Sequence, residues 1–145
     1  MKKIILTLAI AISSFAVFAR EVNVNATVLN AFNREFTEAT DVQWSTGESF
    51  YKATFVFNTQ HVAAFYNVEG ELLAMTRNIT SLDLPMGLQT SLRKEYSEYW
   101  ISDLFEVSNT EGTQYYITME KADSKITLKS TGNGKWKNYK KVTKA

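Results

Sequence analysis

The sequence predicts an α+β protein built as a tandem repeat, α-β4-α-β4, with its helices packed on one face of a curved antiparallel sheet. One observation is a pair of apolar stripes at helical spacing, which lie 60 positions apart. They are Val28, Phe32 and Phe36 in the first stripe and Leu88, Leu92 and Tyr96 in the second. A second observation is that the strand pattern around Val62 and Gly70 returns 64 positions later, at Ile126 and Gly134. We therefore predict one domain over residues 20–145, made of repeats at about 25–78 and 84–143.

The first repeat is predicted to begin with a helix from Ala26 to Glu38, for which Asn25 is a suitable N-terminal cap. From Asp41 onward the apolar period changes to two, which indicates strands with one buried face. One strand of this kind places four apolar side chains on the same face, namely Tyr51, Ala53, Phe55 and Phe57. The stretch Val62 to Thr76 then predicts a β-hairpin, because alternating residues flank a turn at 67–70.

The second repeat is predicted to start at Leu84-Pro85, since proline is tolerated in the first turn of a helix. A short strand near Leu104 and a longer one from Tyr115 to Met119 follow. Ile126 and Leu128 mark the next strand, and Trp136 to Val142 ends the unit after an Asn-Gly turn. Trp136 matches the position of Leu72 and is therefore expected in the core beneath the second helix.

The first 19 residues have the pattern of a signal peptide. Two lysines precede an apolar run from Ile4 to Ala11, and Ala19 offers a cleavage position. A membrane anchor is the alternative, but it needs about 20 apolar residues, and two serines interrupt the run at 13–14. We predict cleavage after Ala19, a periplasmic or secreted protein, and no stable membrane insertion after cleavage.

Composition narrows the chemistry that this chain can perform. The chain has no cysteine and one histidine, so disulfides, thiolate nucleophiles and a histidine-rich zinc site are excluded. His61 lies in a turn and is expected to be solvated, as are Glu69 and Glu71, which flank Gly70 without the spacing of a calcium-binding loop. We therefore predict no catalytic residue, no metal, no cofactor and no enzymatic activity.

Positive charge is concentrated near the C-terminus, where eight lysines between Lys121 and Ala145 are opposed by Asp123 alone. Such a patch could steer an acidic protein or an anionic envelope surface. Lysines on a terminal strand also prevent edge-to-edge aggregation, which is the simpler explanation. The alternation of lysine and aromatic residues from Lys135 to Lys141 is also typical of single-stranded nucleic-acid binding. Export argues against a nucleic-acid partner, and the two-residue period of a strand explains the alternation without any ligand. We therefore predict no nucleic-acid partner.

Three short motifs carry a resemblance to a known family. They are Tyr-x-Ala-x-Phe at 51–55, Tyr-Asn-x-x-Gly-Glu-Leu at 66–72, and Leu84-Pro85 ahead of a helix. The chain resembles the PepSY-like family of small exported bacterial proteins, which is related in fold to the β-lactamase inhibitor protein. This resemblance implies a sheet with one helix-covered face and one face free for a partner. The resemblance does not imply that this chain inhibits a β-lactamase, because the inhibitor protein resembles a disulfide-bonded protein, whereas this chain has no cysteine.

Two functions remain open at this point. The first is a monomeric module that binds a protein of unknown identity, as an inhibitor or modulator of an envelope or secreted enzyme. Strand residues out of phase with Tyr51, Tyr66 and Tyr115 should face outward, and the candidate partner-binding residues among them are Phe65, Tyr116, Tyr139, Lys52 and Lys137. The alternative is a small-ligand or envelope-polymer binder with a cavity under Phe32, Phe36, Tyr96 and Trp44.

Overall fold

A computed structural model describes residues 22–144 and contains one antiparallel sheet of eight strands in sequence order. The strands are β1 (Thr40–Thr46), β2 (Tyr51–Phe57), β3 (Gln60–Tyr66), β4 (Leu72–Asn78), β5 (Trp100–Asn109), β6 (Gly112–Lys121), β7 (Ser124–Ser130) and β8 (Lys137–Thr143). Two α-helices, α1 (Ala26–Glu35) and α2 (Met86–Glu95), precede β1 and β5, and a 3₁₀ turn (Ser81–Asp83) precedes α2. The predicted signal peptide, residues 1–19, lies outside the described residues.

The predicted architecture, a tandem α-β4-α-β4 repeat with helices packed on the sheet, is wrong. The molecule is mostly a single sheet, and each α-helix has only ten residues. Strand β4 pairs with β5 from Ala74–Asn109 to Asn78–Phe105, so hydrogen bonds cross the position where two units would meet. Similar apolar periodicity in two places predicts similar elements, but it does not show that the elements form separate units.

Individual elements were predicted with different accuracy. The cap of α1 is confirmed, because the Val28 amide donates a hydrogen bond of 2.9 Å to Asn25 Oδ1. The helix ends at Glu35 and not at Glu38. In the second half, Pro85 is the N-terminal cap of α2 and not a residue of its first turn. Strand β5 has ten residues, where a short strand was predicted. These errors affect ends of elements, where a periodic pattern carries the least information.

The first hydrophobic cluster is mainly aromatic and joins α1 with β1, β2 and β3. The ring centroid of Phe32 lies 5.0 Å from that of Phe55 and 5.2 Å from that of Trp44. Phe36 lies 4.9 Å from Phe55, and both Phe32 and Phe36 are buried. These rings pack mostly edge-on or tilted, an arrangement that adds to the stability gained from burial.

The second cluster joins α2 with β5, β6 and β7. Leu88 and Leu92 of the helix are buried with Ile117 and Leu128 of the sheet. Trp136 packs against this cluster but stays half-buried, which is less than the core position expected from the sequence. Its Nε1 donates a hydrogen bond of 3.2 Å to the Leu88 carbonyl, so the indole also fixes the chain before β8 to the helix.

A third cluster lies on the other face of the sheet and, within residues 22–144, includes no buried helical residue. Its buried members are Ala63, Phe65, Ala74, Phe105 and Val107, and Phe50, Leu73 and Tyr116 pack against them. We call the sheet face that carries this cluster the open face. Strand β3 is consequently buried on both faces from Val62 to Tyr66, although its sequence alternation predicted one buried face.

Candidate functional site

All five residues proposed for partner binding lie on the open face. Lys52 is the cross-strand neighbour of Phe65, and its Nζ lies 5.5 Å from the centre of the Phe65 ring. At the other end of the face, Tyr116 is opposite Lys129, which in turn is opposite Lys137. The Tyr139 ring lies 5.5 Å from that of Tyr116 in an edge-on contact.

The five residues form two groups, and strand register shows that both groups share one face. Phe65 is opposite Ala74, and Ala74 is opposite Asn109 of β5. Phe105 precedes Asn109 by four positions on the same strand, and Tyr116 is opposite Phe105. Residues an even number of positions apart on a strand point to the same face, so the two groups flank a continuous surface.

The accessible part of this surface differs from the sequence-based expectation. Phe65 was predicted to be exposed, but only 6% of its surface is accessible because Phe50 and Lys52 lie against its ring. Tyr116 is half-buried and stacks on Phe105 at 5.2 Å. Tyr139 retains 49% of its surface. A partner would therefore meet Tyr139 and the edge of Tyr116 before it could contact Phe65.

Three further residues shape this surface and are not among those predicted from the sequence. Phe105 forms the buried base under Tyr116, Phe50 covers Phe65, and Lys129 places its Nζ 5.4 Å from the Tyr116 ring centre. The signal for Phe105 was present, since it alternates with Val107 on one face of β5. The short strand predicted near Leu104 does not reveal this alternation, which extends along the ten residues of β5.

The charge on the open face is mainly positive. By register, the face carries Lys52, Lys125, Lys129, Lys137 and Lys140, against Asp103 and Glu120, and Asp41 of β1 adds a third carboxylate near Lys52. Glu120 is engaged by Lys144, whose Nζ lies 3.1 Å from Oε1, and this hydrogen bond lowers the pKa of Glu120. Burial raises the pKa of Asp103. Glu120 is opposite Lys125, whereas Lys129, Lys137 and Lys140 near Tyr116 and Tyr139 have no carboxylate as cross-strand neighbour.

A polar groove of about 400 Å³ crosses β1 to β4 on the open face. Gln43, Lys52, Thr54 and Thr76 line it, together with the exposed His61. Among residues 22–144, no three His, Cys, Asp or Glu side chains come together as they would in a metal site. The groove therefore offers hydrogen-bonding groups next to the aromatic cluster.

The cavity expected for small-ligand binding is only partly present. The rings of Phe32, Phe36 and Trp44 pack against one another. Tyr96, in contrast, lines a cleft of about 390 Å³ between the 3₁₀ turn, α2 and the beginning of β5. The apolar walls of this cleft are Leu82, Leu92, Tyr96, Tyr99, Ile101 and Met119.

Comparisons with protein-family models and with curated proteins gave no match. Solved structures do match. A BLIP-like protein from Bacteroides fragilis shares 17% sequence identity, with a TM-score of 0.73 over 86% of this chain and 90% of that one. A Bacteroides eggerthii protein, provisionally described as periplasmic, shares 17% identity, with a TM-score of 0.75 over 84% and 90%. A DUF2874 family protein from Bacteroides uniformis shares 18% identity, with a TM-score of 0.73 over 82% and 88%.

These similarities define the fold. At such low identity they show that the chain has a BLIP-like fold, so the predicted relation to the fold of the β-lactamase inhibitor protein is confirmed. Membership of the PepSY-like family stays a prediction. No helix within residues 22–144 has the length and apolar character needed to cross a membrane.

Proposed function

We propose that this chain is an exported, non-enzymatic binding module that recognises a protein partner through the open face of its sheet. The partner class we favour is an envelope or secreted enzyme that the chain inhibits or modulates. The observation that carries the proposal is the aromatic cluster around Phe105, Tyr116 and Tyr139, which is surrounded by lysines on a face that no helix of residues 22–144 covers.

Aromatic residues on a preformed surface support protein recognition for a physical reason. Tyrosine buries a large area on binding while it loses little side-chain entropy, and such residues are enriched at the centres of interfaces. Tyr116 is already held by Phe105 and by Lys129, so a partner would not have to order it. The lysines would add electrostatic attraction to an acidic partner surface.

Export is supported by the signal-peptide pattern and by the similarity to a Bacteroides protein provisionally described as periplasmic. Mass spectrometry of the protein purified from its own host tests this part. A chain that begins at Arg20 is the expected result, and an intact N-terminus would contradict cleavage.

The function is tested by two surface variants that differ in the face they change. Lys137→Glu with Tyr139→Ser alters the open face, whereas Lys141→Glu changes a lysine of the same strand at a position that pairs with the core residue Ile126. Proteins captured from an envelope extract by the wild type are identified by mass spectrometry and purified. Calorimetry should then show at least tenfold weaker binding to the first variant and little change with the second.

Equal binding by both variants would overturn the proposal, provided that their melting temperatures match the wild type. In that case the open-face aromatics would reflect only the strand preference of aromatic residues. Single exposed aromatics are ordinary on protein surfaces, which makes the matched control necessary.

Small-ligand binding remains a second candidate function because of one observation, the cleft beside Tyr96. Its volume of about 390 Å³ lies within the range of small-molecule sites, about 300–1,000 Å³.

A further inference from the structure

The cleft beside Tyr96 has apolar walls that the fold leaves open to solvent. Leu82 is 82% exposed and Ile101 is 43% exposed, and both line the cleft. Leu92 and Met119 are buried at the base. The Tyr96 and Tyr99 rings, 6.1 Å apart, form a further wall. An apolar chain entering the cleft would therefore remove water from these exposed apolar side chains.

The exposed Leu82 is held in place by the turn that carries it. Asp83 Oδ2 accepts hydrogen bonds from the Thr80 amide at 2.8 Å and the Thr80 hydroxyl at 2.9 Å. The Gln89 side-chain amide donates to the carbonyls of Leu82, at 3.2 Å, and Leu84, at 2.8 Å. An exposed leucine on a turn fixed in this way is a preformed contact, so binding would require little ordering of the chain.

One cation lies at the cleft. Arg93 is the only charged residue among the ten that line it, and within residues 22–144 the side chain of Arg93 makes no ion pair. Lys121, whose Nζ lies 5.1 Å from the Tyr99 ring centre, does not line the cleft and is paired with Asp123 at 3.9 Å. The acidic neighbours do not line the cleft: Asp83 binds Thr80, and Glu95 accepts a hydrogen bond of 3.5 Å from the Ser91 hydroxyl.

We propose that this cleft binds a free single-chain amphiphile with one anionic head, of the long-chain carboxylate class. Its chain would lie against Leu82, Ile101 and Tyr96, and its carboxylate would bind the Arg93 guanidinium. A peptide fits less well, because its backbone amides and carbonyls would need partners. The Gln89 amide that lines the cleft already bonds Leu82 and Leu84. This proposal does not depend on the function assigned to the open face.

Calorimetric titration of the purified protein with octanoate, decanoate and dodecanoate below their micelle concentrations tests the class of ligand. We expect one site, with Kd falling about four- to sixteenfold for each added pair of methylene groups that the cleft buries. Dodecyltrimethylammonium should bind at least tenfold more weakly than dodecanoate, since its head repels Arg93.

Two pairs of variants assign binding to this cleft. Arg93→Gln should weaken dodecanoate binding about tenfold, whereas Lys94→Gln, a neighbouring cation outside the cleft, should not. Leu82→Ser should weaken it several-fold, whereas Met86→Ser, at a highly exposed apolar residue outside the cleft, should not. All four positions are exposed, so each variant is expected to fold, and thermal unfolding verifies this.

Several results would overturn the proposal. They are the absence of saturable dodecanoate binding below about 1 mM, equal losses in the control variants, and equal affinity for the cationic amphiphile. A neutral leucine-rich peptide that binds more tightly than dodecanoate, with the same loss in Leu82→Ser, would assign the cleft to a protein segment instead.

Discussion

Tyr66 carries a buried hydroxyl that has no hydrogen-bond partner within residues 22–144. Its side chain is a fully buried member of the first cluster. Burial first, then the negative charge of Glu35, raises the pKa of the phenol, although the hydroxyl donates no hydrogen bond to the Glu35 carboxylate. An unpaired buried hydroxyl costs free energy, whereas a phenylalanine of the same shape does not.

We expect Tyr66→Phe to raise the free energy of unfolding by about 1 kcal/mol. Tyr115→Phe is the control, because its half-buried hydroxyl can reach water, and its effect should stay within about 0.5 kcal/mol. Urea denaturation of both variants provides the measurement. A loss of stability in Tyr66→Phe would mean that the hydroxyl is paired in solution.

Asp83 makes the stability of the 3₁₀ turn depend on pH. Hydrogen bonds from the Thr80 amide, and then from its hydroxyl, hold the pKa of this carboxyl below its ordinary value of 3.8. A carboxyl whose pKa is lower in the folded state stabilises the fold fully above its unfolded pKa. That contribution is lost as the pH falls through the folded pKa.

Asp83→Asn should therefore lower Tm at pH 7, and the difference from the wild type should shrink as the pH falls below 3.8 and through the lowered folded-state pKa. Glu48→Gln, at an exposed carboxylate in the turn before β2, is the control and should leave Tm at pH 7 unchanged. Scanning calorimetry across this pH range measures both differences. A Tm difference that stays constant with pH would show that the carboxylate charge plays no part in holding the turn.

At the level of elements, the β4–β5 contact joins the two halves of the sheet and contains a cross-strand ion pair. Arg77 Nε lies 2.9 Å from Glu106 Oε1, and Nη2 lies 3.3 Å from Oε2, so the contact is bidentate. Arg77 Nη1 also donates to Gln60 Oε1 at 3.2 Å. The Glu106 side chain is 15% exposed and that of Arg77 is 40% exposed, which leaves the pair partly screened by water.

A double-mutant cycle with Arg77→Gln and Glu106→Gln should give a coupling energy of about 0.5–1 kcal/mol that decreases in 1 M salt. The same cycle on Lys121 and Asp123, whose charged atoms are 3.9 Å apart, should give almost no coupling. Coupling of similar size at both pairs would mean that the geometry of the Arg77–Glu106 contact contributes nothing special.

The elements that the sequence predicted well are those defined by local patterns. The stripe of Val28 and Phe32 and the Asn25 cap lie within one helix, and the hairpin turn at Gly70 has a positive φ that glycine adopts easily. What the sequence could not supply is the environment of each face. Alternation predicted that Phe65 faces away from the core, but the Phe50 ring that covers it comes from another part of the chain.

The same distinction explains the candidate site. Register could be inferred from alternation, and it brought Tyr116 and Lys137 to one face. The irregularity in β8, where Tyr139 is the extra residue between Asn138 and Lys140, could not be inferred, although alternation alone already predicted that Tyr139 shares a face with Lys137. The cleft beside Tyr96 depends on the position of a 3₁₀ turn, which has no periodic signature.

For the whole molecule, the continuity of the sheet is the feature that separates this structure from a tandem repeat. Two units joined by a linker could unfold one after the other. Here β4 and β5 share a five-residue register, and the third cluster contains Phe65 from the first half and Phe105 from the second. Loss of either half would expose this cluster and the edge of a central strand, so the halves should unfold together.

Two tryptophans report on the two halves. Trp44 packs in the first cluster, Trp136 packs against the second, and Trp100 is exposed. Replacing Trp100 and either Trp136 or Trp44 by phenylalanine gives two proteins that each keep one tryptophan. The pair of single-tryptophan proteins should give coincident urea transitions. Leu128→Ala, which truncates a buried side chain of the second cluster and costs about 2–5 kcal/mol, should lower both midpoints equally. A lowered midpoint at Trp136 with an unchanged one at Trp44 would show that the halves are independent, and the single-sheet account of stability would then be wrong.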